Sequence, residues 1–423
     1  MKLLSIIIAL LLITGCTNVE IPEDKAENVV VEPSVEEIIE NEESKPSVDE
    51  KEENVVPEST TNELSEELTQ DNIEEKTEVI GTKEMFADYY EEANKVLKEM
   101  TLKEKIAQMF LVIYPGDEKA LNQIEKYNPG GYILFANDVK NETKDSLKAK
   151  IEKIQDKSKV KMMIAVDEEG ETVVRLSGYK QYRDKKFDSP RNIYEKSGMD
   201  AVVTDSHDKN EFLKSFGVNM NLAPVVDIPT GKSSYMYKRA ISVDEKIASE
   251  FASKVISKMN EDKVISSMKH FPGYGDNVDT HTGIAIDERT KEDFFNKDFL
   301  PFIAGIEAGA PTIMVNHNVI KEIDDKYPAS ISTEVHNILR NELNYSGLII
   351  TDSLAMDAIK TYVENGEAGA QAVISGNDMI ISSTLETHIN EIVNAINDGR
   401  IEEKKIEDAA RRVIACKICF GIE

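Results

Sequence analysis

The sequence has little cysteine, a deficit of basic residues and no long apolar run. Three cysteines in 423 residues argue against a disulfide-built scaffold. Fifty Lys and Arg stand against 79 Asp and Glu, a formal net charge of −29, which argues against nucleic acid as a partner. The apolar run at the N-terminus, Leu3 to Ile13, is too short for an ordinary membrane span. No G-x-G-x-x-G turn opens a helix, so the usual signal for a dinucleotide is missing.

What is present divides into three parts. Residues 1–16 read as a signal peptide: Lys2 supplies the positive end, and the apolar run is followed by Ile13-Thr14-Gly15-Cys16. That ending resembles a bacterial lipobox, in which the cysteine becomes the lipidated first residue, so Cys16 is the expected lipidation site and the membrane is met through that lipid. Residues 17–83 are an acidic linker. Between 17 and 82 there are 22 Asp/Glu and four Lys, no aromatic residue, and prolines at 22, 33, 46 and 57. Such a segment buries too little apolar surface to offset the entropy of ordering and is expected to be a disordered tether. With this segment and Lys2 set aside, the remainder carries −12, only moderately acidic.

From Glu84 onward the pattern is globular. Apolar runs recur at 106–113, 130–135, 162–167, 219–226, 264–271, 312–317, 347–352 and 378–382, separated by amphipathic stretches such as 248–259 and 389–397. Several runs are continuously apolar, as parallel strands covered on both faces are. Eight β/α units over residues 84–423 predict an α/β fold, a single TIM-type (β/α)8 barrel; a doubly wound open sheet is the alternative. Polar residues gather at the C-terminal ends of the runs: Asp167, Asp227, Lys269-His270, His317 and Asp352. In a barrel those ends converge on one mouth. A lone Asp there could equally cap the next helix, but five strands ending this way need more than capping.

Two segments carry the chemistry. In Lys269-His-Phe-Pro-Gly-Tyr-Gly-Asp-Asn-Val-Asp-Thr-His281, Pro272, Gly273 and Gly275 are expected to make a mobile loop. Asp279 and His281 on it form a pair in which a carboxylate can orient an imidazole for proton transfer. His270, Asp276, Asp279 and His281 are also metal-ligand types, but their spacing fits no standard motif, and neither metal nor cofactor is expected. In Gly347-Leu-Ile-Ile-Thr-Asp352-Ser-Leu-Ala-Met356, a carboxylate ends a buried strand, well placed to attack an anomeric carbon.

Residues 84–423 resemble family 3 glycoside hydrolases, in particular the β-N-acetylhexosaminidase branch. The resemblance rests on Asp167-Glu-Glu-Gly with Arg175, Asn221-Leu-Ala-Pro-Val-Val-Asp227, Arg239-Ala-Ile-Ser, Lys269-His270-Phe-Pro-Gly with Asp279-Thr-His281, Pro328-Ala-Ser330, and Thr351-Asp352-x-Leu-x-Met. It implies Asp352 as nucleophile, His281 as acid/base with Asp279 as partner, and Asp167, Arg175, Arg239, Lys269 and His270 as residues that hold the sugar. Many family 3 β-glucosidases take the acid/base from a second domain; with the chain ending at Glu423, the loop histidine is expected to serve. The implied activity is retaining exo-β-N-acetylglucosaminidase on GlcNAc-containing glycans or muropeptides, outside the cytoplasm. Phosphorolysis of the same linkages, or wall-sugar binding without turnover, are the alternatives. Two positions depart from the family pattern: Glu171 stands where a second Gly is usual, and Tyr274 where His is common. Cys416 and Cys419 read as small buried hydrophobes. His207, His336 and His388 show no partner pattern, and His317 could line the pocket or make a structural hydrogen bond.

Overall fold

The computed structural model describes residues 84–277, 285–356, 359, 362–363 and 366–422; Cys16 and the linker lie outside them. Eight parallel strands form the core: β1 (Phe110–Ile113), β2 (Gly131–Ile133), β3 (Met163–Val166), β4 (Met220–Asn221), β5 (Ile265–Phe271), β7 (Thr312–Val315), β9 (Leu348–Thr351) and β10 (Ile380–Ser382). They are hydrogen-bonded in chain order from β1 to β9, with β10 beside β1. A parallel bridge between Ile350 and Met379 joins β9 to the approach of β10 and closes the barrel. A separate parallel pair, β6 (Ile286–Asp287) with β8 (Val319–Ile320), was not foreseen from the sequence.

Each of the eight apolar runs holds one barrel strand, because each strand is covered twice. Leu111, Ile133, Met163, Ala165, Met220, Ile265, Met314, Ile350 and Ile381 belong to one buried cluster. Their neighbours Phe110, Val112, Tyr132, Ile164, Val166 and Ile380 belong to another, packed against helices. Alternate residues thus face the interior and the helical shell, and both faces are largely apolar. The run at 106–113 is half strand only. Its first three residues end the helix Leu102–Gln108, which a Thr101/Glu104 capping box starts.

The helices follow their apolar stripes. Glu245–Glu261 buries Ala248, Phe251, Ala252, Val255, Ile256 and Met259, and Asp244 caps it by accepting from the amides of Lys246 and Ile247. The helix Phe299–Glu307 packs beside it. A Cβ at Gly305 would lie 2.1 Å from Met268 Sδ, so the Met268 side chain packs directly over this glycine. The interior lining runs on into Leu97, Ala410, Val413 and Ile414, on the helices Tyr90–Lys98 and Glu403–Cys419. No helix among the described residues is long and apolar enough to cross a membrane.

Candidate active site

The C-terminal ends of the strands surround a cleft of about 710 Å³ including its open mouth, within the range of small-molecule sites. Asp167, Glu169, Arg175, Arg239, Lys269, His270 and Asp352 all line it, with Phe135, Tyr235 and Met314 among the apolar walls. Six of the eight residues implied to act on the sugar therefore meet in one place. The other two, Asp279 and His281, lie outside the described residues.

Local structure explains why each side chain arrives. After β3 the Asn221 side chain accepts from the Glu168 amide (2.9 Å) and donates to its carbonyl (3.1 Å). The Glu168 carboxylate, fully buried, accepts from the amides of Arg175 (2.9 Å), Leu176 (2.8 Å) and Ser177 (3.3 Å) and from the Ser177 hydroxyl. That carboxylate thereby turns the chain back on itself and returns Arg175 to Asp167, with Nη2 3.2 Å from Oδ2. The turn explains one departure from the family pattern. Glu171 sits at φ 49°, a left-handed conformation that a glycine takes freely. It is held there by its amide on the Phe187 carbonyl (2.9 Å) and by Asn192 on its carboxylate (3.1 Å).

Lys269 and His270 are consecutive, yet both face the cleft. Residues along a strand normally alternate, but the register between β5 and β7 slips by one residue between Met268 and Phe271. A bulge of this kind re-aims a side chain. Arg239 comes from the long loop after β4. Arg191 donates through Nε to the carbonyls of Tyr237 (3.0 Å) and Ala240 (3.1 Å), gripping the loop on both sides of it.

The side chains form a continuous ionic chain. Arg175 binds Asp167; Lys269 Nζ lies 2.6 Å from Asp167 Oδ1 and 2.7 Å from Glu169 Oε1; Arg239 binds Glu169 through Nε (2.8 Å) and Nη2 (2.7 Å). Arg239 Nη2 also donates to His270 Nε2 (3.2 Å), and His270 Nδ1 meets Asp227 Oδ2 at 2.7 Å. A guanidinium only donates, so Nε2 is the acceptor and Nδ1 carries the proton toward Asp227. Asp227 further accepts from the amides of His270 (3.0 Å) and Tyr274 (2.8 Å). The Tyr274 ring, fully buried, stands edge-on to His270 at 5.1 Å, so the second departure supplies a wall for the imidazole.

These charges are set by one another. Burial pushes the Glu169 carboxyl up, but the cations of Arg239 and Lys269 outweigh it and hold it well below the usual range. Burial pulls Lys269 down, and Asp167 and Glu169 more than restore it. The wall thus presents N–H donors and carboxylate oxygens fit to receive hydroxyl and amide groups. Glu169 was not singled out from the sequence. The signal was available: strand alternation continued past Val166 puts residues 167 and 169 on one side.

Asp352 ends β9, half-buried at the cleft, its amide on the Val315 carbonyl (2.8 Å) and its Oδ1 accepting from the Ser353 amide (2.7 Å). His317 proves structural in its described contacts. Its Nε2 lies 2.9 Å from the Ser353 carbonyl and its Nδ1 2.6 Å from Ser330 Oγ, a strut beside Asp352. Gly273 and Gly275, expected in a mobile loop, are buried and pressed against Asp298 and Arg289. His207 has a partner after all, Asp262 at 3.0 Å. With Glu211 these form a possible cation-ligand group among the described residues, but Lys258 (3.2 Å) and Asn210 (2.9 Å) already occupy the Asp262 oxygens.

A (β/α)8 barrel with a charged, hydrogen-bonding pocket at its C-terminal mouth has the arrangement on which barrel enzymes build their sites. Residues 101–416 match the model for the glycosyl hydrolase family 3 N-terminal domain. The chain belongs to glycosyl hydrolase family 3. It is 25% identical over 327 residues to a Pseudoalteromonas piscicida protein named beta-hexosaminidase A, covering 70% of this chain and 54% of that one. A Nitrosomonas eutropha beta-hexosaminidase is 29% identical over 296 residues, 65% of this chain and 82% of its own length. The solved family 3 beta-N-acetylglucosaminidase of a Paenibacillus strain superposes with a TM-score of 0.72 at 25% identity, covering 76% of this chain and 63% of that one. The chain thus spans about half the length of the first of these relatives and less than two thirds of the solved one.

Proposed function

We propose that this glycoside hydrolase is a retaining exo-β-N-acetylglucosaminidase acting on terminal β-linked GlcNAc. The observation that carries the reading is the shared cleft: the ionised wall Arg175–Asp167–Lys269–Glu169–Arg239 and the Asp352 carboxylate line one cavity. The relatives named for hexosaminidase activity support the same sugar.

In this reading the wall holds the sugar hydroxyls and the acetamido group. The Asp352 carboxylate forms a bond to the anomeric carbon as the glycosidic C–O bond breaks, and His281 gives its proton to the departing oxygen. In the second step His281 takes a proton from water, which displaces Asp352 and regenerates both groups. Asp279 orients the imidazole. Muropeptides or other wall-derived GlcNAc glycans are the proposed substrates, met outside the cytoplasm by an enzyme tethered through lipidated Cys16. A 5-fluoro GlcNAc-type inhibitor, followed by peptide mass spectrometry, tests the central assignment. The label is expected on Asp352; finding it on another carboxylate overturns the assignment.

A further inference from the structure

The stretch that carries Asp279 and His281 leaves the described fold at Asn277 and rejoins it at Ala285. Both ends are gathered around one side chain that no step above uses. Arg289 donates through Nε (3.0 Å) and Nη2 (2.7 Å) to Asp287, through Nη1 to Asp298 (2.8 Å), and through Nη2 to the Gly273 carbonyl (3.2 Å). Its guanidinium also lies over the Phe294 ring at 4.2 Å. Asn277 Nδ2 then donates to Asp287 Oδ2 (2.7 Å), which links the outgoing end directly to the returning one. The returning end is fastened a second time, by the Val319 amide on the Ala285 carbonyl (2.8 Å) and by the β6–β8 pair.

The packing is tight enough to set position. A Cβ on Gly275 would lie 2.7 Å from the Arg289 guanidinium carbon, and one on Gly273 would lie 2.4 Å from Asp298 Oδ1. The outgoing chain is therefore pressed on the clamp with no room for slack. Asp298 Oδ1 is buried without a hydrogen-bond partner among the described residues.

We propose that Arg289, acting through Asp287, Asn277 and the Gly273 carbonyl, is a positioning residue for proton transfer: it fixes the two ends of the stretch bearing the acid/base pair. The inference rests on the assignment of His281 as acid/base. Tying two points of a chain together lowers the entropy of the chain between them. A displacement of about 1 Å at a reacting group costs on the order of 10²-fold in rate.

The test measures kcat/KM on a GlcNAc disaccharide, whose leaving group needs a proton, and on the 2,4-dinitrophenyl glycoside, whose leaving group does not. Arg289→Met and Asn277→Ala are each compared with wild type, with Arg289→Lys as the conservative variant. The expected result is a loss of about 10²-fold on the disaccharide and little loss on the aryl glycoside, with Arg289→Lys recovering part of the difference. Should Arg289→Met not fold, Asn277→Ala decides, since it removes a link without orphaning a buried charge. Equal losses on both substrates, or none on either, overturn the proposal. His281→Ala in the same series separates the two ideas. If it shows the leaving-group dependence and the neck variants do not, the positioning role alone falls; if it shows none, the acid/base assignment falls and the positioning role with it.

Discussion

The molecule contains two buried ionic networks of nearly the same composition, at opposite ends of barrel strands. At the mouth, Glu169 is bound by Arg239 and Lys269. Just before β10, Asp378 is bound by Arg340 and Arg412. In both, burial pushes the carboxyl up and two cations hold it down. The surroundings differ. Asp378 also accepts from the Ile349 amide (2.9 Å), and Arg340 spends its other donors on the carbonyls of Tyr345 (2.8 Å) and Gly347 (2.7 Å). Those bonds tie the start of β9, the approach to β10 and the helix Glu403–Cys419 together at the barrel seam. The mouth network instead lines an open cleft. The same chemistry is a fastener at the N-terminal end of a strand and, in the proposed function, a binding wall at the C-terminal end.

The largest effect that tests this division is at the mouth. Asp352→Asn is expected to lower kcat by roughly 10⁴-fold or more while leaving the urea midpoint unchanged. Substantial residual turnover, measured in enzyme free of wild-type contamination, would remove Asp352 from the chemistry.

The seam should respond in the opposite sense. Arg412→Met leaves Asp378 buried with one of its two cations, a defect that costs about 3–5 kcal/mol when a buried pair is broken. Urea unfolding should shift accordingly, while kcat/KM of the protein that remains folded stays close to wild type. A variant that keeps its midpoint but loses activity would collapse the distinction between seam and mouth.

A third measurement uses pH. Glu169 and Asp378 are depressed, so their stabilisation is present above the ordinary carboxylate range and is lost on acidification. Asp298 has the reverse sign. Burial pushes it up to about 6 against the pull of Arg289, which Asp287 shares. A carboxyl raised on folding stabilises below its unfolded value and loses that contribution as pH rises through the folded one. Between about pH 4 and pH 6 the loss amounts to about 2 kcal/mol. Unfolding of wild type and Asp298→Asn across that window should show the variant's relative stability rising with pH. A constant difference would mean that folding does not raise the Asp298 carboxyl.

The smallest effect belongs to a third arrangement of the same groups. Arg400 contacts both Asp398 and Glu367, but all three are substantially exposed. Solvent screens such pairs, so Arg400→Ala should leave the thermal midpoint within error. A clear drop would show that charge composition, not burial, governs these clusters.

Much of this was legible in the residues in order. Apolar runs, several of them continuous, marked all eight barrel strands, because a strand covered on both faces need not alternate. Polar residues at run ends marked the mouth, and the motifs marked the family. All of these signals are local: each is carried by a few neighbouring residues whose periodicity or type is dictated by the element they sit in. What only the tertiary structure decided is which charge meets which. Lys269 finds Asp167 across 102 positions, and Arg239 finds Glu169 across 70. In Asp167-Glu168-Glu169 three adjacent carboxylates take three roles: one meets Arg175 and Lys269, one folds a loop by accepting backbone amides, and one joins Arg239 to Lys269. Nothing in their composition separates them, because the difference lies in the partners that the closed barrel delivers. Asp378 carries the same charge as Asp167 and stands at the other end of a strand. The direction of the chain made that end readable, but only the arriving Arg340 and Arg412 closed the network, and such meetings are set by barrel closure rather than by sequence neighbours.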